Sequence, residues 1–444
     1  MNPAKSSHRP RSPRATRTAR TANITPRRSA KPRIALALAG GGPLGAIYEI
    51  GALCALDESL LGISFTWLDH YVGVSAGGFI AAGLANGMTP RELCAAFIEN
   101  GDQASEVFDP AWLMVPAYGE FLRRGIMLPG LAMSAAWQAT FGRKSFVQAL
   151  EALGPALPTG LFSNDEIDTR LSRLFSAPGR TNDFRQLRAR LTLVATHLDS
   201  GDAAPFGSPG WDHIPISKAV QASSALPGLF PPVEIDQQYY VDGALKKTLH
   251  AGVAMEEGID LMFCLNPLVP FNSTRAPALS MDQRVMRRGL PREKQAIPRL
   301  VNGGLPTVMS QTFRSMIHSR LELGMKHYEH AYPDTDIVLL EPDHRDTEMF
   351  LANTFSYSQR RELAEHAYQN TRQMLRSRKT TLSAKLAPHG VSLNLEALED
   401  PKRHLVAAKP AATRVGRAIA VLEDVMEDLS HALQPHPAQR RVAA

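Results

Sequence analysis

Short runs of consecutive apolar residues recur along the chain, separated by longer segments with helical spacing. Uninterrupted apolar runs bounded by glycine or polar residues are typical of strands buried on both faces of a parallel sheet. The alternation predicts an α/β fold, with a mostly parallel central sheet between two helical layers. The predicted strands cover residues 34–39, 70–74, 191–198, 238–241, 260–266 and 336–342.

Apolar residues three or four positions apart predict helices between these strands. A serine or threonine followed three residues later by glutamate is a capping box, which marks a helix start. The predicted helices are residues 43–56, a helix from Ser75 or Ala76 to about Asn86, one capped at Thr89–Glu92, one capped at Ser163–Glu166, and a long helix over 307–331 with Met309, Phe313, Ile317 and Leu321 on one side.

Two segments depart from the alternation. Residues 108–160 are rich in large apolar side chains interrupted by proline and glycine, which predicts either a helical insertion packed on the core or an apolar lid or lipid-facing surface. Residues 391–444 are predicted to form a linker followed by an amphipathic helix. The apolar stripe of that helix packs either in the core or against another subunit. The main domain is therefore expected over residues 32–390.

Positive charge is concentrated at the amino terminus. The net charge is +6, but ten of the 49 Lys and Arg residues precede residue 34, and the first acidic residue is Glu49. Without those ten, 39 basic residues face 43 acidic ones. Residues 1–31 lack the apolar residues needed to order themselves, so we expect a disordered basic tail. A solvated tail is favoured over a tether to anionic lipid, and nucleic-acid binding comes last.

The chain shows few signs of export or membrane insertion. The apolar run at 34–39 is too short for a secretory signal, and no run of about 18 or more apolar residues predicts a spanning helix. Cys54, Cys94 and Cys264 are odd in number and widely spaced, which argues against a disulfide scaffold or a zinc site. These features predict a cytoplasmic protein, either free or peripherally associated with a membrane.

Residues 73–77 read Gly-Val-Ser-Ala-Gly, with a predicted strand before Ser75 and a helix after it. Glycines at 73 and 77 allow a sharp turn that pushes the serine hydroxyl outward at a helix N-terminus. There the helix dipole favours a developing negative charge. This context favours Ser75 as a candidate nucleophile over its interpretation as a small residue in a turn.

A second glycine-rich stretch, Gly40-Gly41-Gly42-Pro43-Leu44-Gly45, follows the first predicted strand. Exposed backbone N–H groups suit either a phosphate cradle or an oxyanion hole. A dinucleotide fold would require an acidic residue at the end of a second strand about 20 positions on, whereas the next strand here ends in Gly-Val-Ser-Ala-Gly. A P-loop would require Gly-Lys-Ser/Thr, and the loop has no such lysine. An oxyanion hole beside a serine nucleophile explains both glycine motifs.

A nucleophilic serine needs a general base, and Asp242 is the candidate. It ends a predicted strand and precedes Gly243 and Ala244, so its carboxylate can reach the same sheet edge as Ser75. A free aspartate is a weak base at neutral pH, so burial or a hydrogen bond from the serine must assist it. An isolated Asp-Gly pair would be interpreted as a turn.

The order of these three motifs resembles the patatin-like phospholipase family. Segments 196–206 and 223–233 are also similar to stretches of bacterial patatins, and the resemblance covers roughly residues 33–380. It implies a Ser75–Asp242 dyad and an oxyanion hole formed around Gly40, Gly41, Gly42 and Pro43. It further implies two-step hydrolysis of phospholipid or lysophospholipid acyl esters, with no metal or organic cofactor.

Position 44 departs from the family pattern, which commonly has Arg or Lys where this chain has Leu44. Pro43 also lacks an N–H group, so the oxyanion hole is expected to rely on Gly41 and Gly42. Two alternatives stay open. One is an α/β-hydrolase with a Ser-Asp-His triad completed by His250, although that histidine is more simply interpreted as a surface residue. The other is a non-catalytic scaffold that docks on membranes or partners.

Overall fold

The computed structural model describes residues 31–99, 115–141, 154–272, 300–351, 357–406 and 426. The strands are β1 Ile34–Leu38, β2 Leu60–Leu61, β3 His70–Gly73, β4 Arg190–His197, β5 Ala203–Phe206, β6 Val233–Ile235, β7 Gln238–Asp242, β8 Leu261–Leu265, β9 Asp336–Leu340 and β10 Ser392–Leu393.

The helices are α1 Gly42–Ser59, α2 Ala76–Ala85, α3 Pro90–Cys94, α4 Tyr118–Gly125, α5 Leu128–Phe141, α6 Asp165–Phe175, α7 Ile216–Ser223, α8 Gly252–Met255, α9 Gly304–Ala331, α10 Thr347–Leu351, α11 Tyr357–Ser377, α12 Lys379–Leu386 and α13 Leu395–Glu399.

One large mixed sheet organises the domain. Its strand order is β6-β7-β4-β3-β1-β8-β9, with β5 beside β4. Strands β4, β3, β1, β8 and β9 are parallel, whereas β5, β6 and β7 pair antiparallel. The mostly parallel sheet predicted from the apolar runs is confirmed.

The two faces of β1 belong to different halves of the core. Leu36 and Leu38 pack in a cluster that includes residues of α1, α2 and α11. Ala35 and Ala37 point to the opposite face and pack with residues of α8 and α9. Alternate side chains of a strand face opposite sides, so this pattern places the sheet between two helical layers. The three-layer architecture is confirmed.

Residues 391–406 pack on the domain and are not a linker. Strand β10 pairs with β2. The buried guanidinium of Arg372 donates to the carbonyls of Ala397, at 2.8 Å, and Asp400, at 2.7 Å. The prediction of a linker from residue 391 is therefore wrong for this part, because these carbonyls satisfy a buried charge. Beyond residue 406, only Met426 lies within the described residues.

Two helix predictions need correction and one is confirmed. Thr89 caps α3 with a complete capping box. The N-cap of α6 is Asn164, and the Ser163 hydroxyl instead contacts Asp165, so the capping box predicted at Ser163 is wrong. The stripe predicted on α9 is divided, because Ile317 and Leu321 are buried whereas Met309 and Phe313 are exposed.

The remaining predictions concern the cysteines, membrane insertion, metal binding and the basic tail. Cys54, Cys94 and Cys264 are buried free thiols. In the described ranges, no helix is long and apolar enough to cross a bilayer. The same ranges contain no group of three or more His, Cys, Asp or Glu residues that could hold a metal ion. The basic tail predicted over residues 1–31 lies outside the described residues, Lys31 excepted.

Candidate active site

Ser75 occupies the turn between β3 and α2. Its φ and ψ angles are 54° and −125°, a conformation that is strained for a residue with a side chain. A side chain at Gly73 would overlap Gly78, and a Cβ at Gly77 would lie 2.5 Å from the Ala39 carbonyl oxygen. Steric overlap therefore excludes a side chain at either glycine. The strand–turn–helix setting predicted for Ser75 is present.

A buried hydrogen-bond chain holds the strained turn. The Ser75 backbone N–H donates to Ser223 Oγ over 2.8 Å, and Ser223 Oγ donates to the Val194 carbonyl over 2.6 Å. Ser223 is fully buried at the end of α7. This contact with the turn could not be recognised in the sequence, where Ser223 appears only as part of a family-like segment.

Asp242 ends β7 with its carboxylate buried beside the turn. Its Oδ1 accepts the Ala244 backbone N–H over 2.9 Å, and its own N–H donates to the Ala225 carbonyl over 3.0 Å. A side chain at Gly243 would overlap the Val194 carbonyl. Since Val194 also anchors Ser223, one residue of β4 fixes the backbone near both Ser75 and Asp242.

The Asp242 carboxylate lies close enough to the Ser75 side chain for the hydroxyl to influence its pKa. Burial raises the pKa of Asp242 from 3.8 to about 6, while the Ala244 N–H and the Ser75 hydroxyl oppose that rise. A carboxylate with this pKa is ionised at neutral pH and is a stronger base than a solvated aspartate. The arrangement can therefore accept a proton from the serine hydroxyl.

The glycine-rich loop lies directly against the serine. A Cβ at Gly40 would lie 3.0 Å from Ser75 Cβ and 3.2 Å from Ala244 Cβ. Gly41 and Gly45 leave room for the Pro267 ring, since a Cβ at either would lie 2.7 or 3.0 Å from its Cγ. Close backbone packing thus joins all three predicted motifs at one edge of the sheet.

Backbone N–H groups near the serine are available to a ligand. The N–H groups of Gly41, Gly42 and Ala76 donate to no protein group in the described part of the chain. Gly41 is the N-cap of α1, and Pro43 stands in its first turn, where a missing N–H costs nothing. The positive ends of α1 and α2 meet here and favour a developing oxyanion. Ala76 was missed by the sequence analysis.

The surroundings of Leu44 do not suit a charge-binding residue. Its side chain lines a cavity of only about 10 Å³ together with Pro267, Phe271 and Arg314. The guanidinium of Arg314 reaches the Val269 carbonyl at 3.4 Å, and burial lowers its pKa. Where the family pattern has a cation in the loop, this chain has an apolar contact.

His250 is buried, so its interpretation as a surface residue is wrong. It has a φ of 49°, and its Nε2 lies 3.3 Å from the Gly243 carbonyl oxygen. Burial lowers the pKa of His250 to about 4, so the ring is neutral at pH 7 and Nε2–H donates to that carbonyl. It therefore supports the loop after Asp242, while the Asp242 carboxylate contacts Ser75 and Ala244.

We expect His250→Ala to lower the melting temperature while the folded protein keeps its hydrolytic rate within about tenfold of wild type. The substitution leaves a cavity and an unpaired carbonyl, which costs about 1–3 kcal/mol of stability. Thermal unfolding and initial rates on a soluble ester give the two values. A loss of activity of several orders of magnitude in folded protein would instead support a triad that includes His250.

Helices α4 and α5 expose large apolar side chains. Tyr118, Leu122, Ile126, Met133 and Trp137 are each between 65% and 73% exposed. Helix α4 has no buried residue. A helical insertion packed on the core, the first interpretation of this region, does not describe α4, because its apolar residues face outward.

The chain matches one family model and is similar to solved structures. Residues 36–255 match the family model described as patatin-like phospholipase, a range that contains the glycine-rich loop, Ser75 and Asp242. The structure of VipD from Legionella pneumophila is similar with a TM-score of 0.34 and 16% identity, covering 79% of this chain and 67% of that one. The type III effector protein ExoU has a TM-score of 0.27 and 16% identity, covering 92% and 71%. No curated protein matches the chain.

Proposed function

The chain belongs to the patatin-like phospholipase family through residues 36–255, and from this premise we propose that it hydrolyses ester-linked acyl chains of phospholipids or lysophospholipids with a Ser75–Asp242 dyad. Membership supports lipid ester hydrolysis in general. The observation that carries the dyad is the packing of Gly40 against both Ser75 and Ala244, whose N–H donates to the buried carboxylate of Asp242.

The reaction proceeds by two acyl transfers. Asp242 accepts the proton of Ser75 as Oγ attacks the ester carbonyl carbon, and the resulting oxyanion faces the N–H groups of Gly41, Gly42 and Ala76. The protonated Asp242 then delivers its proton to the leaving alcohol or lysolipid, which frees the acyl-serine. Asp242 next takes a proton from water as the water attacks the acyl-serine, and it then returns that proton to Ser75 Oγ as the bond to the acyl carbon breaks and the fatty acid leaves.

A fluorophosphonate probe tests the nucleophile directly. The probe phosphonylates an activated serine and displaces fluoride, so we expect labelling of Ser75 in wild type and none in Ser75→Ala. Peptide mapping of the labelled protein identifies the residue. An inert patatin-like scaffold would not react, and labelling of another serine would remove Ser75 from the proposed role.

The exposed face of α4 and α5 suits contact with the lipid surface that carries the substrate. Exposed leucine, isoleucine, methionine and tryptophan gain free energy on leaving water, about 25 cal/mol for each Å² buried. Arg123 and Arg124 at the end of α4 share the carboxylate of Glu120. We therefore propose peripheral association through this face.

Leu122→Glu with Ile126→Glu is expected to reduce cosedimentation with phosphatidylcholine vesicles by at least tenfold, because two charges then enter the apolar face. Leu395→Glu is the matched control, since Leu395 is an exposed leucine on α13, 48% accessible. Equal binding by the double variant and the control would show that lipid is bound elsewhere.

A further inference from the structure

A cavity of about 470 Å³ opens between α4, α6, α7 and β6. Its walls are the starts of α4 and α6, the outer side of α7, and the edge strand β6 with the prolines before it. This volume falls in the range of small-molecule sites. The reaction proposed above uses none of the side chains that line it.

Helix α7 connects the cavity to Ser75. Lys218 and Gln221 of α7 line the cavity, and Ser223 at the end of the same helix accepts the Ser75 backbone N–H. At about 100° per residue, Gln221 and Ser223 point to opposite sides of the helix, so the cavity and the nucleophile turn contact opposite faces of α7.

Opposite charges face the cavity without neutralising each other. Lys218 Nζ donates to Gln221 Oε1 over 2.8 Å, and Gln221 Nε2 donates to Asp165 Oδ1 over 3.1 Å, so one amide group separates the ammonium from the carboxylate. Within the described residues, no ion pair involves Lys218, Asp165 or Glu234. Glu120 also lines the cavity but is already paired with Arg123 and Arg124.

The lining also contains an unsatisfied donor. Asn164 is 4% exposed, and its Nδ2 has no hydrogen-bond partner in the described chain, although its Oδ1 accepts Gln221 Nε2 over 3.1 Å. A buried donor without an acceptor is costly.

We propose that this cavity binds a zwitterionic group in which an anion and an ammonium are a few bonds apart, as in the phosphocholine or phosphoethanolamine head group of a phospholipid. Lys218 faces the phosphate, and Asp165 and Glu234 face the ammonium. A purely anionic group would meet two unpaired carboxylates, and a purely cationic group would meet Lys218. As a head-group site, the cavity rests on the proposed lipid hydrolase function.

Direct binding to Ser75→Ala protein tests the cavity independently of catalysis. Isothermal titration with phosphocholine is compared with titrations of inorganic phosphate and of choline. We expect phosphocholine to bind at least tenfold more tightly than either ion, and Lys218→Met and Glu234→Gln each to weaken it by at least tenfold. The matched control, Lys402→Met, removes an exposed lysine outside the cavity and should bind like the parent.

The possible results distinguish a failure of the proposed binding site from a failure of the proposed hydrolase function. Equal affinity for phosphocholine in the parent, Lys218→Met and Glu234→Gln proteins, or no binding at all, would overturn the site. Binding of free phosphocholine with no preference of the wild type for phosphatidylcholine over phosphatidylglycerol vesicles would assign the cavity to a free zwitterion instead of a lipid head group. Binding by a protein whose wild type releases no fatty acid would support the cavity and reject the hydrolase.

Discussion

Asp242→Asn is expected to lower fatty-acid release by at least a thousandfold while the protein becomes more stable at pH 7. The amide cannot accept the Ser75 proton, but its oxygen can still accept the Ala244 N–H that Asp242 accepts at 2.9 Å. Burial raises the pKa of Asp242 from 3.8 to about 6 in the folded protein, so ionisation at neutral pH opposes folding. That shift corresponds to about 3 kcal/mol.

Because burial raises the pKa of Asp242, its effect on stability depends on pH in a defined direction. Folded protein binds the Asp242 proton more tightly than the unfolded chain, so the contribution of Asp242 to wild-type stability falls as pH rises from about 4 to about 6 and is level above that range. Denaturant unfolding should show the largest advantage of Asp242→Asn at pH 7 and little advantage at pH 4. The kcat/KM of wild type should rise with pH through about 6, as Asp242 becomes the free base. A variant that is inactive but less stable at pH 7 would contradict this assignment.

Gly41→Ala is expected to reduce kcat by about a hundredfold or more, the usual cost of losing one oxyanion donor. The added Cβ would lie 2.7 Å from both Gly45 Cα and Pro267 Cγ, so the loop must shift and its N–H groups with it. Circular dichroism and kcat on a short soluble ester measure fold and chemistry separately.

Gly42→Ala provides the matched comparison. Gly42 has a φ of 58°, but nothing lies within 4 Å of its added Cβ, so the cost is backbone strain of about 1 kcal/mol and the loop can stay in place. The loss of kcat should therefore be clearly smaller than for Gly41→Ala. Equal losses from the two substitutions would indicate that glycine flexibility, and not the position of the loop, limits the rate.

The sequence was most informative where local pattern and tertiary environment agree. The six apolar runs became strands of the main sheet, because a strand buried on both faces must be apolar throughout. Strands β5 and β6 were missed, since three or four residues are too few to show a periodic pattern. Ser75, Asp242 and the glycine-rich loop meet at one sheet edge, but shared strand ends do not explain it for Asp242. Strand β7 is antiparallel to β4, and its register places Asp242 opposite Ala195, near the carboxyl end of β4.

Features that depend on distant partners could not be predicted. Ser223 contacts Ser75 across 148 residues of sequence, and a serine in a small-residue segment gives no sign of that bond. His250 appeared to be a surface residue because its burial comes from the loop after Asp242 folding back on itself. The cavity beside α7 likewise depends on four segments that only the tertiary fold brings together.

The central claim is that Ser75 is the nucleophile of a lipid acyl hydrolase. The most direct test is product analysis of phospholipid vesicles incubated with wild type and with Ser75→Ala. We predict free fatty acid with wild type and none above background with the variant, at equal vesicle binding. Fatty acid released equally by both proteins, or by neither while both bind the vesicles, would contradict the claim.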